Sequence, residues 1–276
     1  MKRTLKRGAI LLFILGNLYG ILCGGLYFFQ ESMLFHPEQL PKDYVFEFDV
    51  PFEEIYQEGE GGVQLHGLHF PVANAKGVIL YFHGNAGSVR RWGEITQFFS
   101  QKGYSVIVMD YRNYGKSDAS ITTSNPEQAL YDDSEVWYAF AKANYPESQI
   151  HVYGRSLGTT FATYVASKHT PKNLTLETPF YSIEDEARSR FRWLPVKRLL
   201  KYRMPTYEFV DAVSCPITVF HGTDDAVVAY EHGQKLFEKI ATSSKEFITV
   251  PSGGHNDLVT FPEYTTAIDR VLKKEK

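Results

Sequence analysis

Cysteine is scarce: two in 276 residues, Cys23 and Cys215. One lies in an apolar run and the other beside Pro216, so no disulfide framework is expected and the redox compartment is unmarked. The cysteine–histidine spacings of a zinc site are missing too, and no metal is expected. Basic charge is not in excess. The 29 Lys and Arg stand against 32 Asp and Glu, a net charge of -3. Lys2, Arg3, Lys6 and Arg7 precede the apolar run, so the rest of the chain is more acidic still, which argues against a nucleic-acid partner. Internal repeats and low-complexity tracts are lacking. The 43% hydrophobic and 15% aromatic residues suit one large packed domain better than two.

The apolar run covers residues 8–29, with Asn17 as its only strongly polar member. It is long enough to cross a bilayer as a helix. A cleaved signal peptide has a shorter core ending at a small-x-small site, and the leucine before Cys23 makes a poor lipoprotein signal. The expected layout is a basic segment 1–7, a membrane anchor 8–29, a linker 30–43 and a soluble domain 44–276. Basic residues before the run and Glu31 after it favour a cytoplasmic N-terminus, with the domain on the outer face of the membrane. The linker carries an apolar patch, Met33-Leu34-Phe35, placed either at the membrane surface or against the domain.

Within the domain, the alternation at 44–50 and 63–70 predicts two antiparallel strands joined across Gly59-Glu60-Gly61-Gly62. Continuous apolar runs at 77–82 and 104–109 predict strands covered on both faces. Further strands are expected at 150–153, 174–176, 217–221 and 246–250. Helices are expected at 90–101, 126–142, 157–168, 231–240 and 264–273. Strands alternating with helices imply an α/β fold, a mostly parallel central sheet with helices on both faces. Ligands in such sheets bind beyond the carboxyl ends of the strands.

The strongest chemical signal is Gly154-Arg155-Ser156-Leu157-Gly158 between a strand and a helix. It reads G-x-S-x-G, the nucleophile elbow of the α/β-hydrolase fold, in which a sharp turn lifts the serine clear of the sheet. A serine hydroxyl needs a base, usually an imidazole oriented by a carboxylate. In this fold the chain order is serine, acid, histidine. Ser156 is followed by His169, His221, His232 and His255. His169 sits at a helix end near the serine, His221 ends a strand in a structural position, and His232 lies within a helix. His255 follows the loop Pro251-Ser252-Gly253-Gly254 after the last strand and is the candidate base. The acid is Asp224 or Asp225; spacing hardly separates them, although Asp225 is favoured. The oxyanion of a tetrahedral intermediate needs backbone donors. The N–H of Leu157 is one candidate. Asn85, in His83-Gly84-Asn85-Ala86-Gly87, is the other, with Ala86 as the alternative. His83 precedes the serine in chain order and is expected to brace this loop or line the pocket.

Five motifs occur in order: His83-Gly84-Asn85-Ala86-Gly87, Asp110-Tyr111-Arg112-Asn113-Tyr114-Gly115-Lys116-Ser117, Gly154-Arg155-Ser156-Leu157-Gly158, His221-Gly222-Thr223-Asp224-Asp225 and Gly254-His255-Asn256-Asp257. Together, across nearly all of residues 10–270, they resemble the membrane-anchored α/β-hydrolases related to the yeast bud-emergence protein. That resemblance implies serine hydrolase chemistry on acyl esters or thioesters, and it implies Asp225 as the acid. The chain departs from the family pattern at Asn113, where glycine is commoner, at Thr159 and Thr160, and at Ala229. None of these removes a catalytic group, and asparagine tolerates a left-handed backbone.

Residues 178–210 form an expected cap insertion rich in aromatic and basic side chains, among them Tyr181, Phe191, Trp193, Arg190, Arg192 and Arg198. Such a cap covers an acyl pocket or meets an anionic membrane surface; an ordinary amphipathic cap with solvated arginines has the same composition. The expected activity is two-step acyl transfer without a metal or organic cofactor. The expected partners are a small acyl ester or thioester and the bilayer. A membrane-tethered serine peptidase and a non-catalytic binding or scaffold protein on the same fold are the competing readings. Haloalkane dehalogenation requires an aspartate where Ser156 stands.

Overall fold

Eight strands form one sheet in the computed structural model, which describes residues 2–118 and 125–273. Residues 119–124 and 274–276, within the expected domain, and Met1 and the side chains of 2–4, within the expected basic segment, lie outside what is described. The strands are β1 Glu53–Gly59, β2 Val63–Phe70, β3 Val78–Phe82, β4 Ser105–Met109, β5 Ile150–Arg155, β6 Asn173–Glu177, β7 Ile217–Gly222 and β8 Lys245–Val250. Their spatial order is β1-β2-β4-β3-β5-β6-β7-β8. The six strands from β3 to β8 pair in parallel, and β1 and β2 join antiparallel at one edge. This is the expected mostly parallel α/β sheet.

The helices are α1 Lys2–Leu34, α2 Val89–Ser100, α3 Pro126–Asn144, α4 Gly158–Lys168, α5 Ile183–Arg190, α6 Val196–Leu199, α7 Thr206–Val210, α8 Tyr230–Lys239 and α9 Pro262–Lys273. The sheet presents two apolar faces. Trp92 and Phe99 of α2 and Ile268 and Leu272 of α9 pack with Tyr81, Val108 and Phe220 on one face. Trp137, Phe161, Val165 and Leu236, from α3, α4 and α8, pack with Leu80, Val152 and Val219 on the other. The short cap helices α5, α6 and α7 lie between β6 and β7.

Two expectations are corrected. Residues 44–50 are not a strand; the antiparallel partner of β2 is β1, directly before the Gly61–Gly62 turn, where both glycines have positive φ. The alternation at 44–50 reports burial without a ladder. Phe46 stacks on His66, and Phe48 meets Phe52 and Phe70 edge-on. The true strand reads Glu-Glu-Ile-Tyr-Gln-Glu-Gly and is mostly exposed, so edge pairing forms it without an apolar signature.

The second correction concerns residues 30–43. Helix α1 runs past the apolar stretch to Leu34, and the chain after it is bound to the domain. His36 and Pro37 pair in parallel with Ala86 and Gly87. The Glu38 N–H donates to the Gly87 carbonyl at 3.1 Å, and the Gly115 N–H donates to the Glu38 carbonyl at 2.7 Å. Of the two places open to the Met33-Leu34-Phe35 patch, Phe35 takes the domain, with its ring 4.9 Å from that of Tyr202. Met33 remains exposed. At 33 residues α1 is about 50 Å long at 1.5 Å per residue. Its apolar side chains from Ile10 to Leu22 are largely bare, and its length and composition fit a single-pass membrane protein.

Two glycines set the strand–helix contact at β5. A Cβ at Gly158 would lie 2.0 Å from the Phe82 carbonyl oxygen, and one at Gly154 would lie 2.6 Å from the Gly158 carbonyl oxygen. Neither neighbour is a flexible side chain, so Gly158→Ala is expected to destabilise the fold by roughly 2–4 kcal/mol. Scanning fluorimetry of the detergent-purified protein checks this; unchanged melting would show that β5 and α4 do not approach so closely.

Candidate active site

The turn between β5 and α4 places Ser156 at φ 50, in the left-handed region. A non-glycine residue there carries roughly 1–3 kcal/mol of strain and needs surrounding contacts to hold it. Three hydrogen bonds do so. The Ser156 N–H donates to the Glu177 carbonyl at 2.9 Å, and the Thr159 N–H donates to the Ser156 carbonyl at 3.0 Å. The Thr159 hydroxyl donates to the same carbonyl at 2.6 Å. Thr159, a departure from the family pattern, thus fastens the turn. Asn113, another departure, has φ 70, a conformation asparagine accepts.

His255 approaches from the loop after β8. Its Nε2 is 3.0 Å from the Ser156 Oγ, and its Nδ1 is 2.8 Å from the Asp225 Oδ2. A carboxylate opposite Nδ1 places the ring proton there, which leaves the Nε2 lone pair to accept the serine hydroxyl. Asp225 follows β7 and is buried, whereas Asp224 is exposed and accepts from the Thr223 hydroxyl. The other Asp225 oxygen accepts from the N–H groups of Val227 and Val228, both at 2.8 Å. Burial pushes the Asp225 carboxyl up, but hydrogen bonds from His221 and His255, the charge of His255 and the Val228 amide outweigh it and hold the group well below the usual carboxylate range. The structure therefore brings Ser156, His255 and Asp225 into one hydrogen-bonded chain.

The remaining candidates fall beside it. Leu157 is the cap residue of α4. The 83–87 loop lies against the serine: a Cβ at Gly84 would sit 3.8 Å from the Ser156 Cβ. Asn85 lines the same cavity. Its side chain is occupied elsewhere, accepting from the Tyr114 hydroxyl at 2.8 Å and the His36 N–H at 3.3 Å and donating to the Leu34 carbonyl. His83 braces this loop. Its Nδ1 donates to the Gly84 carbonyl at 2.6 Å, and burial lowers the basicity of its ring.

His221 lies beside the Asp225 Oδ2 that His255 binds. Its Nε2 faces only acceptors, the Val228 carbonyl at 3.0 Å and Asp225 at 3.5 Å, and so carries the proton. His169 and His232 lie elsewhere, paired with Glu135 and Glu186.

Sequence reasoning missed two supports. Arg155, the variable residue before the serine, is buried and donates to the His255 carbonyl at 3.2 Å and to the Asn256 Oδ1 at 3.1 Å. Its Nε lies 3.4 Å from Glu177, which accepts from the Tyr153 hydroxyl at 2.5 Å. The other missed support is the chain after α1. Leu34, Phe35 and His36 line the cavity with Ser156, Phe180, Met204 and His255. Its volume is about 380 Å³. Arg91 and Arg190 also line it. Among the described residues no cluster of three or more His, Cys, Asp or Glu side chains is placed to hold a metal.

Comparison with known proteins agrees with this geometry. Residues 77–195 match the family model of the alpha/beta hydrolase fold. An uncharacterized protein of Mycobacterium tuberculosis strain H37Rv is 30% identical over 209 residues, covering 74% of this chain and 72% of that protein. The chain belongs to the α/β-hydrolase family. This α/β-hydrolase is also 32% identical over 188 residues to the lysophosphatidylserine lipase ABHD12 of Danio rerio, covering 60% of this chain and 48% of that one. It thus spans about half the length of that relative. An esterase of Pyrococcus furiosus, Pf2001, superposes with a TM-score of 0.69 at 21% identity, covering 87% of this chain and 97% of the esterase. Acetyl xylan esterase 1 from Thermoanaerobacterium has the same fold, with a TM-score of 0.65 at 17% identity.

The depressed Asp225 carboxyl has a consequence for stability. A lowered folded-state value stabilises the protein fully above the unfolded carboxyl range, near pH 4, and the benefit is lost as pH falls below it. Urea unfolding should therefore show a wide stability gap between the wild type and Asp225→Asn at pH 7 and a narrower one at pH 3. A gap that does not change with pH would contradict the ionised, hydrogen-bonded Asp225.

Proposed function

We propose that this α/β-hydrolase cleaves acyl esters or thioesters, lipid-derived ones in particular, through Ser156, His255 and Asp225. The observation that carries the reading is the hydrogen-bonded chain from the Ser156 Oγ through both His255 nitrogens to Asp225, at 3.0 and 2.8 Å. Ser156 Oγ attacks the acyl carbonyl carbon while His255 Nε2 takes the hydroxyl proton. The Asp225 carboxylate stays ionised and stabilises the imidazolium. The N–H groups of Leu157 and Asn85 receive the oxyanion of the tetrahedral intermediate. His255 then gives its proton to the leaving alcohol or thiol, and the acyl group remains on Ser156. Water enters, His255 removes its proton, and the resulting hydroxide attacks the acyl carbon; the bond to Ser156 Oγ then breaks, the acid leaves, and His255 returns its proton to the serine.

A largely apolar cavity wall supports a long acyl chain, and Arg91 in the lining supplies positive charge for an anionic head group, whereas Arg190 is paired with Glu186 of the same wall. The relative named lysophosphatidylserine lipase supports a lipid ester as well. The apolar helix α1 supports attachment to a bilayer through residues 8–29. Lys2, Arg3, Lys6 and Arg7 before that run support a cytoplasmic N-terminus with the catalytic domain outside. The motif series supports placement beside the membrane-anchored hydrolases related to the yeast bud-emergence protein.

Labelling with a fluorophosphonate and turnover of p-nitrophenyl butyrate test this reading. Ser156→Ala should abolish labelling, and Ser156→Ala and His255→Ala should each lower kcat at least about a thousandfold. Labelling that survives in Ser156→Ala, or turnover of no ester or thioester by the wild type, would overturn it.

A further inference from the structure

A second cavity, outside the one around Ser156, lies between α1 and the cap. Its volume is about 300 Å³, and Leu22, Leu26 and Leu34 line it on one side, with Phe191, Leu194 and Leu199 on the other. Among the described residues, Gln30 is its only polar lining residue, and its amide is used up within the protein. It donates to the Leu199 carbonyl at 3.0 Å and accepts from the Lys201 N–H at 2.7 Å. The groove offers a ligand no hydrogen bond and suits a hydrocarbon chain. Leu34 lines both this groove and the cavity containing Ser156, so one side chain at the end of α1 borders both.

The position of the cap along α1 says where that chain comes from. The Tyr19 hydroxyl donates to the Trp193 carbonyl at 2.9 Å, and the two rings are 6.4 Å apart. Tyr19 lies ten residues before Phe29, about 15 Å back along the helix. The helix from Leu5 to Leu18 is only about 21 Å long, short of the roughly 30 Å hydrocarbon layer. A bilayer that covers the apolar run must therefore also cover the tip of the cap. Phe191 and Trp193 at that tip are 43% and 60% exposed, an apolar surface that water does not favour.

We propose that the groove between α1 and the cap receives the acyl chain of a membrane lipid and leads its ester from the leaflet to Ser156. This rests on the hydrolase reading and adds the route and the physical state of the substrate. The enzyme then acts on a lipid that stays in the bilayer, and the docked cap forms one wall of the entrance.

The test uses the full chain in nanodiscs of phosphatidylcholine with phosphatidylglycerol. Leu194→Lys places a charge in the groove, and Ala187→Trp, at a residue that also lines it, fills it. Each should slow hydrolysis of a long-chain lysophospholipid held in the bilayer by about tenfold or more, with soluble p-nitrophenyl butyrate turnover within about twofold. Retained lipid turnover, or an equal fall for both esters in variants that melt like the wild type, would overturn the route. A wild type that cleaves neither ester would instead sink the hydrolase reading. Photolysis of a lysophospholipid with a diazirine on its acyl chain gives an answer independent of variant folding. In the Ser156→Ala protein the label should map to residues 22–34 and 183–204. Labels confined to other segments, or cross-links joining two copies of the chain through α1, would overturn the proposal.

Discussion

The close approach of α4 to β3 and β5 is the constraint on which the site depends. Ser156 turns left-handed at the end of a central strand, and the helix starting two residues later must pass the Phe82 carbonyl with no room for a side chain at Gly158. Gly154 meets the same helix from below. With both glycines in place, the turn is held by the Glu177 carbonyl and by Thr159. The serine hydroxyl then projects past the sheet edge, where the loops after β3, β7 and β8 deliver Asn85, Asp225 and His255. The fold supplies the position, and the local strain is offset by hydrogen bonds that only this packing permits.

Behind the hydrogen-bonded chain lies a second polar layer. The Val227 and Val228 amides hold the Asp225 oxygen that His255 does not use, and His221 lies beside the one it does. Arg155 reaches from the elbow itself to the backbone of the His255 loop, with its charge balanced by Glu177. The serine and histidine loops are thereby tied together by the Arg155 hydrogen bonds to His255 and Asn256 as well as by the hydrogen bond between Ser156 and His255, and the ion pair with Glu177 holds Arg155 in place. Removing either charge would strand the other in a poorly solvated place, which makes the pair a rigid brace.

The sheet and the approach of Ser156 and His255 were legible because each depends on local pattern, whereas the choice of Asp225 over Asp224 rested on the family resemblance. Buried parallel strands are continuous apolar runs, and loops at their carboxyl ends must converge. What escaped depends on contacts between distant residues. The exposed strand β1 has no apolar alternation, while 44–50 has alternation without a ladder, because alternate burial and strand pairing are separate physical events. Arg155 and Glu177 are 22 positions apart in sequence, and no spacing rule couples them. The chain from Leu34 to Glu38 read as a linker because its hydrogen bonds go to Asn85, Gly87 and Gly115, partners that only the folded domain brings within reach.

That last segment joins the apolar helix to the chemistry. Leu34, at the end of α1, and Phe35 after it are part of the wall around Ser156, so the apolar helix and the site form one unit rather than a domain on a tether. The nucleophilic role of Ser156 is the claim on which this account stands, and identifying the acylated residue tests it most directly. Rapid acid quench during turnover of p-nitrophenyl butyrate, followed by peptide mass spectrometry, should find a butyryl group on Ser156. Hydrolysis that proceeds with the acyl group on another residue, or with no acylated protein under conditions where deacylation limits the rate, would contradict it.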